Sequence, residues 1–167
     1  MAACKDDAKH TAHNGWIVSE VIVAEGSTGD GLPEVGTMMS AGMRIVTGKG
    51  QFLHIQDGSS EVVVSPASTV TISDTAPASK EPDLDLAAGS IQVTPMNGKP
   101  VETTVVSAPH VVVVVHGSTV GITATPEQSI VYVSEGLATI GSIPIGDSKT
   151  VTGPKMALAT QDGIEIK

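Results

Sequence analysis

Gln51-Phe-Leu-His-Ile-Gln-Asp57-Gly58-Ser59-Ser60-Glu61-Val62-Val63-Val64-Ser65 is the stretch that decides the fold. Asp57-Gly58 lies between two runs rich in alternating and β-branched residues, the clearest tight-turn signal in the chain. Upstream, Met43-Arg-Ile-Val-Thr47 reads as a strand. With Gln51–Gln56 it forms a second hairpin candidate around Gly48-Lys49-Gly50. Further upstream, Trp16 to Glu25 alternates over Trp16, Val18 and later Val21 and Val23. Downstream, Ser68-Thr-Val-Thr-Ile-Ser73 places Val70 and Ile72 on one face. Ala76 to Pro82 reads as a loop, because two prolines forbid a central strand there. Strand candidates then continue at Ile91–Val93, Val101–Val106, His110–His116, Thr119–Thr123, Ile130–Ser134, Leu137–Ile143, Val151, Met156–Ala159 and Ile164–Ile166. No segment spaces its apolar residues at helical period over three turns. Short strands separated by regular turn signals favour a sandwich, a barrel or a β-solenoid over an α/β fold. Regular glycine spacing resembles a solenoid whose coils turn at glycines, although no strict repeat unit is present.

Composition agrees. The chain has 167 residues, 22 valines and abundant threonine and serine, with 18 glycines and 10 prolines spread throughout. Branching at Cβ suits a pleated surface and restricts rotamers in a helix. Hydrophobic residues make up 40% and charged residues 16%, which argues against disorder. The formal net charge is −9, with a single arginine, Arg44, and one each of Trp, Tyr and Phe. A nucleic-acid surface needs clustered Lys/Arg, and single-strand binders need stacking aromatics. Nucleic acid is therefore excluded as a partner, and anionic lipid is disfavoured. No run approaches the length of apolar sequence that spans a bilayer as a helix. Residues 1–14 are small, polar and aperiodic and read as a flexible tail, leaving 15–167 as a single all-β domain. Val111 to Val115 has an apolar side chain on both faces, so both faces require cover, as in a central strand. His110 and His116 flank it with the same parity, about 20 Å apart along the strand, too far for a metal pair. They read as boundary residues.

The order of these signals resembles the FecR domain, an extracytoplasmic β module of bacteria. The resemblance runs from Gly15 to Gly153. Gly15-Trp16-Ile17-Val18 looks like the opening strand, and Val35-Gly36 precedes the next motif. Gly42-Met43-Arg44-Ile45-Val46-Thr47-Gly48 is similar to the G-x-x-I-x-T-G entry, and Gln51 to Ser59 to alternating apolar residues followed by D-G-S. Val62 to Val70 resembles V-x-L-x-P-x-S-x-V, and Leu84 to Ile91 resembles L-x-L-x-x-G-x-I/V. Val113 to Ile122 resembles V-x-V-R-G-T-x-F-x-V, and Val131 to Ala138 resembles V-x-V-x-E-G-x-V. His116 stands where the signature has Arg, and Val120 where it has an aromatic residue. The resemblance makes Gly48, Asp57, Gly58, Ser59, Gly89, His116, Gly117, Glu135 and Gly136 signature positions with a structural role. It implies an all-β FecR-like β-solenoid or stacked-hairpin roll, with a β-sandwich as the alternative. It also implies a periplasmic or cell-surface location and a protein partner. Two functions follow: a structural, self-associating module that forms a homo-oligomer or filament, or a binding module in FecR-type signalling that regulates iron-siderophore uptake.

Chemistry is sparse. Cys4 is the one cysteine, so no intramolecular disulfide exists. Met1-Ala2-Ala3-Cys4 looks like the end of a lipoprotein processing site without its leader, which makes Cys4 a candidate lipidation site or intermolecular thiol. His10 and His13 lie in the same tail, but nothing completes a four-ligand zinc set. Met38, Met39 and Met43 offer soft sulfur, yet adjacent Met38 and Met39 cannot face one site in a strand. Asp83 and Asp85, beside Asp74 and Glu81, read as a solvated acidic face, because a calcium loop would need glycine where prolines stand. No metal or other cofactor is expected. Asp57-Gly58-Ser59 is not an aspartic-protease triplet, no G-x-S-x-G elbow exists, and no glycine-rich loop opens a helix. The expectation is a non-enzymatic protein whose binding residues the sequence does not name.

Overall fold

Alternation along the chain becomes alternation of burial. The computed structural model describes residues 16–57, 60–73, 83–96, 103–143, 146 and 148–167. The strands are β1 (Trp16–Val23), β2 (Met38–Met39), β3 (Arg44–Val46), β4 (Gln51–Gln56), β5 (Ser60–Val64), β6 (Thr69–Ile72), β7 (Leu84–Pro95) and β8 (Thr103–Ala108). They continue with β9 (Val111–His116), β10 (Thr119–Ala124), β11 (Ser129–Glu135), β12 (Leu137–Ser142), β13 (Ser148–Thr152), β14 (Lys155–Thr160) and β15 (Gly163–Ile166). No helix occurs among the described residues, so none there is long and apolar enough to cross a membrane. In β4, Leu53 and Ile55 are buried while Phe52, His54 and Gln56 are half-buried on the opposite face. β9 buries Val111, Val113 and Val115 and leaves His116 exposed.

All the strands join one open sheet. β7 organises it. Its first half, Leu84–Ala88, pairs with β6, and Leu84–Asp85 also pair with β8. Its second half pairs with β5 over Ile91–Pro95 and with β10 over Gly89–Val93. One half-sheet then continues through β8, β9, β12 and β13. The other continues through β10, β11, β14 and β15 on one side and β5, β4, β1 and β2 on the other. The two halves face each other over one apolar core that includes residues from both, such as Leu53, Leu86, Val113 and Val131. Buried Thr104 of β8 donates to Ser60 of β5 across that space, 3.4 Å apart. Complete burial of each such aliphatic side chain contributes about 1.5–3 kcal/mol. The core side chains are small. Trp16 is the one aromatic fully buried among the described residues.

Two serine–glycine joints bend the ladders. Gly89 adopts φ +94°, and a Cβ there would lie 2.5 Å from the Cα of Ser68. The Ser68 hydroxyl accepts from Ser90 N–H at 2.9 Å and donates to Ser90 O at 3.2 Å. The β6–β7 register shifts at this point, between Thr69 and Val70. Gly136 repeats the arrangement at φ +88°, where a Cβ would lie 2.5 Å from Ser118 Cβ, and Ser118 Oγ donates to Leu137 O at 2.7 Å. The β10–β11 register shifts there as well, between Thr119 and Val120. At each joint a bulge, with Ala87 or Ser134 unpaired, is followed two residues on by a position that only glycine fits, because the backbone is left-handed and the space is occupied.

Three expectations change. The Met43–Thr47 and Gln51–Gln56 segments do not form a hairpin: β3 pairs with β6, and β4 pairs with β1 and β5. Gly48–Gly50 instead carries the chain from one half-sheet to the other. There Gly48 N–H donates to Gln51 Oε1 at 2.7 Å, and the Gln51 amide donates to the Thr28 and Asp30 carbonyls. The ladders also do not reproduce a solenoid. Stacked coils pair in parallel, whereas the one parallel ladder among the described residues is the two-residue β7–β8 contact. The strands form one open, almost wholly antiparallel sheet. Finally, the valine run is covered on one face only. Val112 and Val114 are half-buried on the outer face, and β9 is central because β8 and β12 bond both its edges.

Replacing Gly136 by Ala should lower stability by about 1–2 kcal/mol or more, because a left-handed residue gains a Cβ against Ser118. Gly121 meets nothing within 4 Å, so Gly121→Ala should be neutral or stabilising by about 0.5–1 kcal/mol. Urea midpoints with constant m-values decide between them. In the same assay Ile122→Ala should cost about 2–5 kcal/mol, whereas Val114→Thr on the outer face of β9 should cost less than half of that.

Candidate functional site

The signature residues fall at structural joints. Asp57 closes the β4–β5 turn: its carboxylate accepts from Ser60 N–H at 2.9 Å, and its own N–H donates to Ser60 O at 3.2 Å. Gly58 and Ser59 lie outside the described residues, as do Cys4, His10 and His13. Gly48, Gly89 and Gly136 serve the crossing and the two joints described above. Gly117, at φ +63°, and Ser118 connect β9 to β10. His116 is exposed, 3.3 Å from Thr139 Oγ1, and Val120 is fully buried where the family motif has an aromatic residue. Glu135 pairs with Thr119 on the β10–β11 ladder and is exposed. These positions do not converge on one cavity. Ser68 is the serine of V-x-L-x-P-x-S-x-V, and Ser118 stands where V-x-V-R-G-T-x-F-x-V has threonine; their hydroxyls act only once Gly89 and Gly136 are brought beside them.

The acidic pair Asp83 and Asp85 is not a solvated face. Asp83 accepts from Val105 N–H at 2.8 Å, and Asp85 accepts from Ser107 Oγ at 2.9 Å. Both carboxylates therefore tie β7 to β8, where the parallel ladder alone is short. Asp74 and Glu81 lie outside the described residues. Met38 is exposed and Met39 buried, as strand geometry requires, and Met43 Sδ accepts from Ser40 N–H. Among the described residues no three His, Cys, Asp or Glu side chains gather around a point that suits a metal ion.

One groove of about 190 Å³ lies along the β14–β15 turn, lined by Leu158, Thr160, Asp162, Gly163, Ile164 and Glu165. Ligand pockets for small molecules usually run to about 300–1,000 Å³ with an apolar lining. What the fold offers instead is convex surface and open sheet edges. On the outer face of the second half-sheet, Ile22 is exposed and Phe52 half-buried in one row at the β1 end. Tyr132 and Met156, both exposed, pair directly at the β14 end. Between them and the edge, His54 Nδ1 lies 3.8 Å from Glu20 and 3.6 Å from Glu61. Such faces and edges suit contact with another protein chain.

Comparison with known proteins places the fold and the family. No curated protein sequence matches the chain. Two crystal structures share the fold, each of a candidate anti-sigma factor from Parabacteroides distasonis ATCC 8503. Their TM-scores are 0.59 and 0.58 at 16% and 17% identity, and the match covers 75% of this chain. The chain spans 59% of the length of each of those structures. The FecR protein family matches residues 43–139, more than half of the sequence and the segment that holds both serine–glycine joints. The chain belongs to the FecR family.

Proposed function

We propose that this chain is a non-enzymatic, extracytoplasmic protein-binding module in FecR-type cell-surface signalling, the kind that regulates iron-siderophore uptake. The match over residues 43–139 carries this reading. The likeness in fold to candidate anti-sigma factors supports it, and so do the exposed sheet faces and open edges. A self-assembling fibre, the other function considered, has no support from the comparisons. Anchoring through lipidated Cys4 belongs to the same proposal, since it would hold the domain at the membrane surface where a receptor signals.

Deleting the gene should change sigma-factor-dependent transcription under iron limitation, read by RNA sequencing with and without siderophore. Transcription that ignores the deletion, together with protein recovered from the cytoplasm, would sink the signalling role. Lipidation has its own readout. Metabolic labelling with an alkyne fatty acid should mark the native protein and lose the mark in Cys4→Ser, and an unlabelled native protein rules the anchor out.

A further inference from the structure

We infer that the free edge of β1 is a docking site for an extended, cationic segment of a partner protein, which adds to the sheet as an extra strand. The inference rests on the protein-binding role and goes further by naming the edge and the chemistry of its occupant. Ala24 N–H donates to Gly50 O at 2.8 Å, and the register places Glu20 opposite His54 and Ile22 opposite Phe52. Antiparallel ladders alternate, so Ala24, Ile22 and Glu20 bond toward β4 while the main-chain groups of Val21 and Val23 point to the other side. That side is bonded only at the start of the strand. Trp16 and Ile17 pair with β2, Val18 N–H donates to Thr37 O, and Gly36 N–H donates to Val18 O. Beyond Val18, no backbone bond reaches Val21 or Val23 on that side among the described residues. The open stretch Ser19–Val23 spans about 16 Å, enough for a short added strand.

Other edges carry the devices that prevent such pairing. β13 places Lys149 on the same face as buried Val151, an inward charge on an edge strand. β3 is three residues long and begins with Arg44. β15 is four residues long, and its Glu165 pairs with Lys167 at 3.9 Å. The β1 edge has no inward charge and is longer than β3 or β15; its bulge lies between Val18 and Glu20, before the open groups of Val21 and Val23, and exposed Ile22 stands beside them.

Charge selects the occupant. Residues 16–43 hold Glu20, Glu25, Asp30 and Glu34 and no Lys or Arg. All four carboxylate residues are exposed. A second copy pairing across a two-fold axis would bring two acidic margins together, and like charges brought that close are unfavourable. A strand alternating apolar residues with Lys or Arg meets both requirements: its main chain bonds Val21 and Val23, and its cations face Glu20 and the acidic loop.

The test uses the full chain and a synthetic octapeptide alternating lysine with valine; one alternating glutamate with valine is the control. At saturation, amide hydrogen exchange at Val21 and Val23 should slow by about tenfold or more, with smaller changes elsewhere. Added salt should weaken binding. The double variant Glu20→Lys/Glu34→Lys should weaken it about tenfold. Val23→Pro removes an edge donor without touching a β1–β4 bond, so it should abolish the protection at Val21. If that variant does not fold by circular dichroism, the charge variant on exposed positions decides alone. No binding, equal binding of the glutamate peptide, or protection at β13 or β15 would overturn the inference. Gene-dependent transcription that survives Glu20→Lys/Glu34→Lys unchanged would remove the edge and keep the signalling role. Edge binding in vitro, with transcription indifferent to the gene, would do the reverse.

Discussion

The contact of Ser68 with Gly89 is the constraint on which the sheet depends. β7 must serve two half-sheets, and a straight twelve-residue strand would hold its partners in one twisted plane. The left-handed backbone at Gly89 changes the strand's direction, and the Ser68 hydroxyl occupies the space a side chain would need while bonding Ser90. Only then can Leu84 and Leu86 on one side of the bend and Ile91 and Val93 on the other all enter one core. Ser118 and Gly136 repeat the device where β10 passes to β11 and on to β12. The family match covers both joints, which gives its Ser and Gly positions a mechanical meaning.

The all-β class was legible because it is a local property. Alternation in Gln51–Gln56 and the Asp57 turn depend on residues within reach of each other, and the structure forms both as read. The 43–56 hairpin was not legible. Two adjacent alternating strands look like partners in sequence whether they join one half-sheet or two, and the outcome turns on Gln51 bonding the Thr28 and Asp30 carbonyls. Asp83 and Asp85 misled for the same reason, since their acceptors' partners, Val105 and Ser107, lie beyond an intervening stretch of chain. The acidic residues around β1 were visible as composition. That they border an open edge depends on where β2 stops pairing, which no local pattern encodes.

Small branched side chains and few aromatics fit a core between two facing half-sheets. Valine loses little rotamer freedom on burial and packs at even thickness, so the halves can approach closely along the whole core. A formal charge of −9 favours solubility for so strand-rich a surface.

Trp16 stands apart in this core. It is the chain's one tryptophan, fully buried at the first residue of β1, where it pairs with Met39 of β2. Its fluorescence is therefore an optical probe built into the strand that carries the open edge. Its quenching and emission wavelength report the packing around the start of β1, so a change there that precedes the loss of far-ultraviolet dichroism marks local fraying rather than global unfolding.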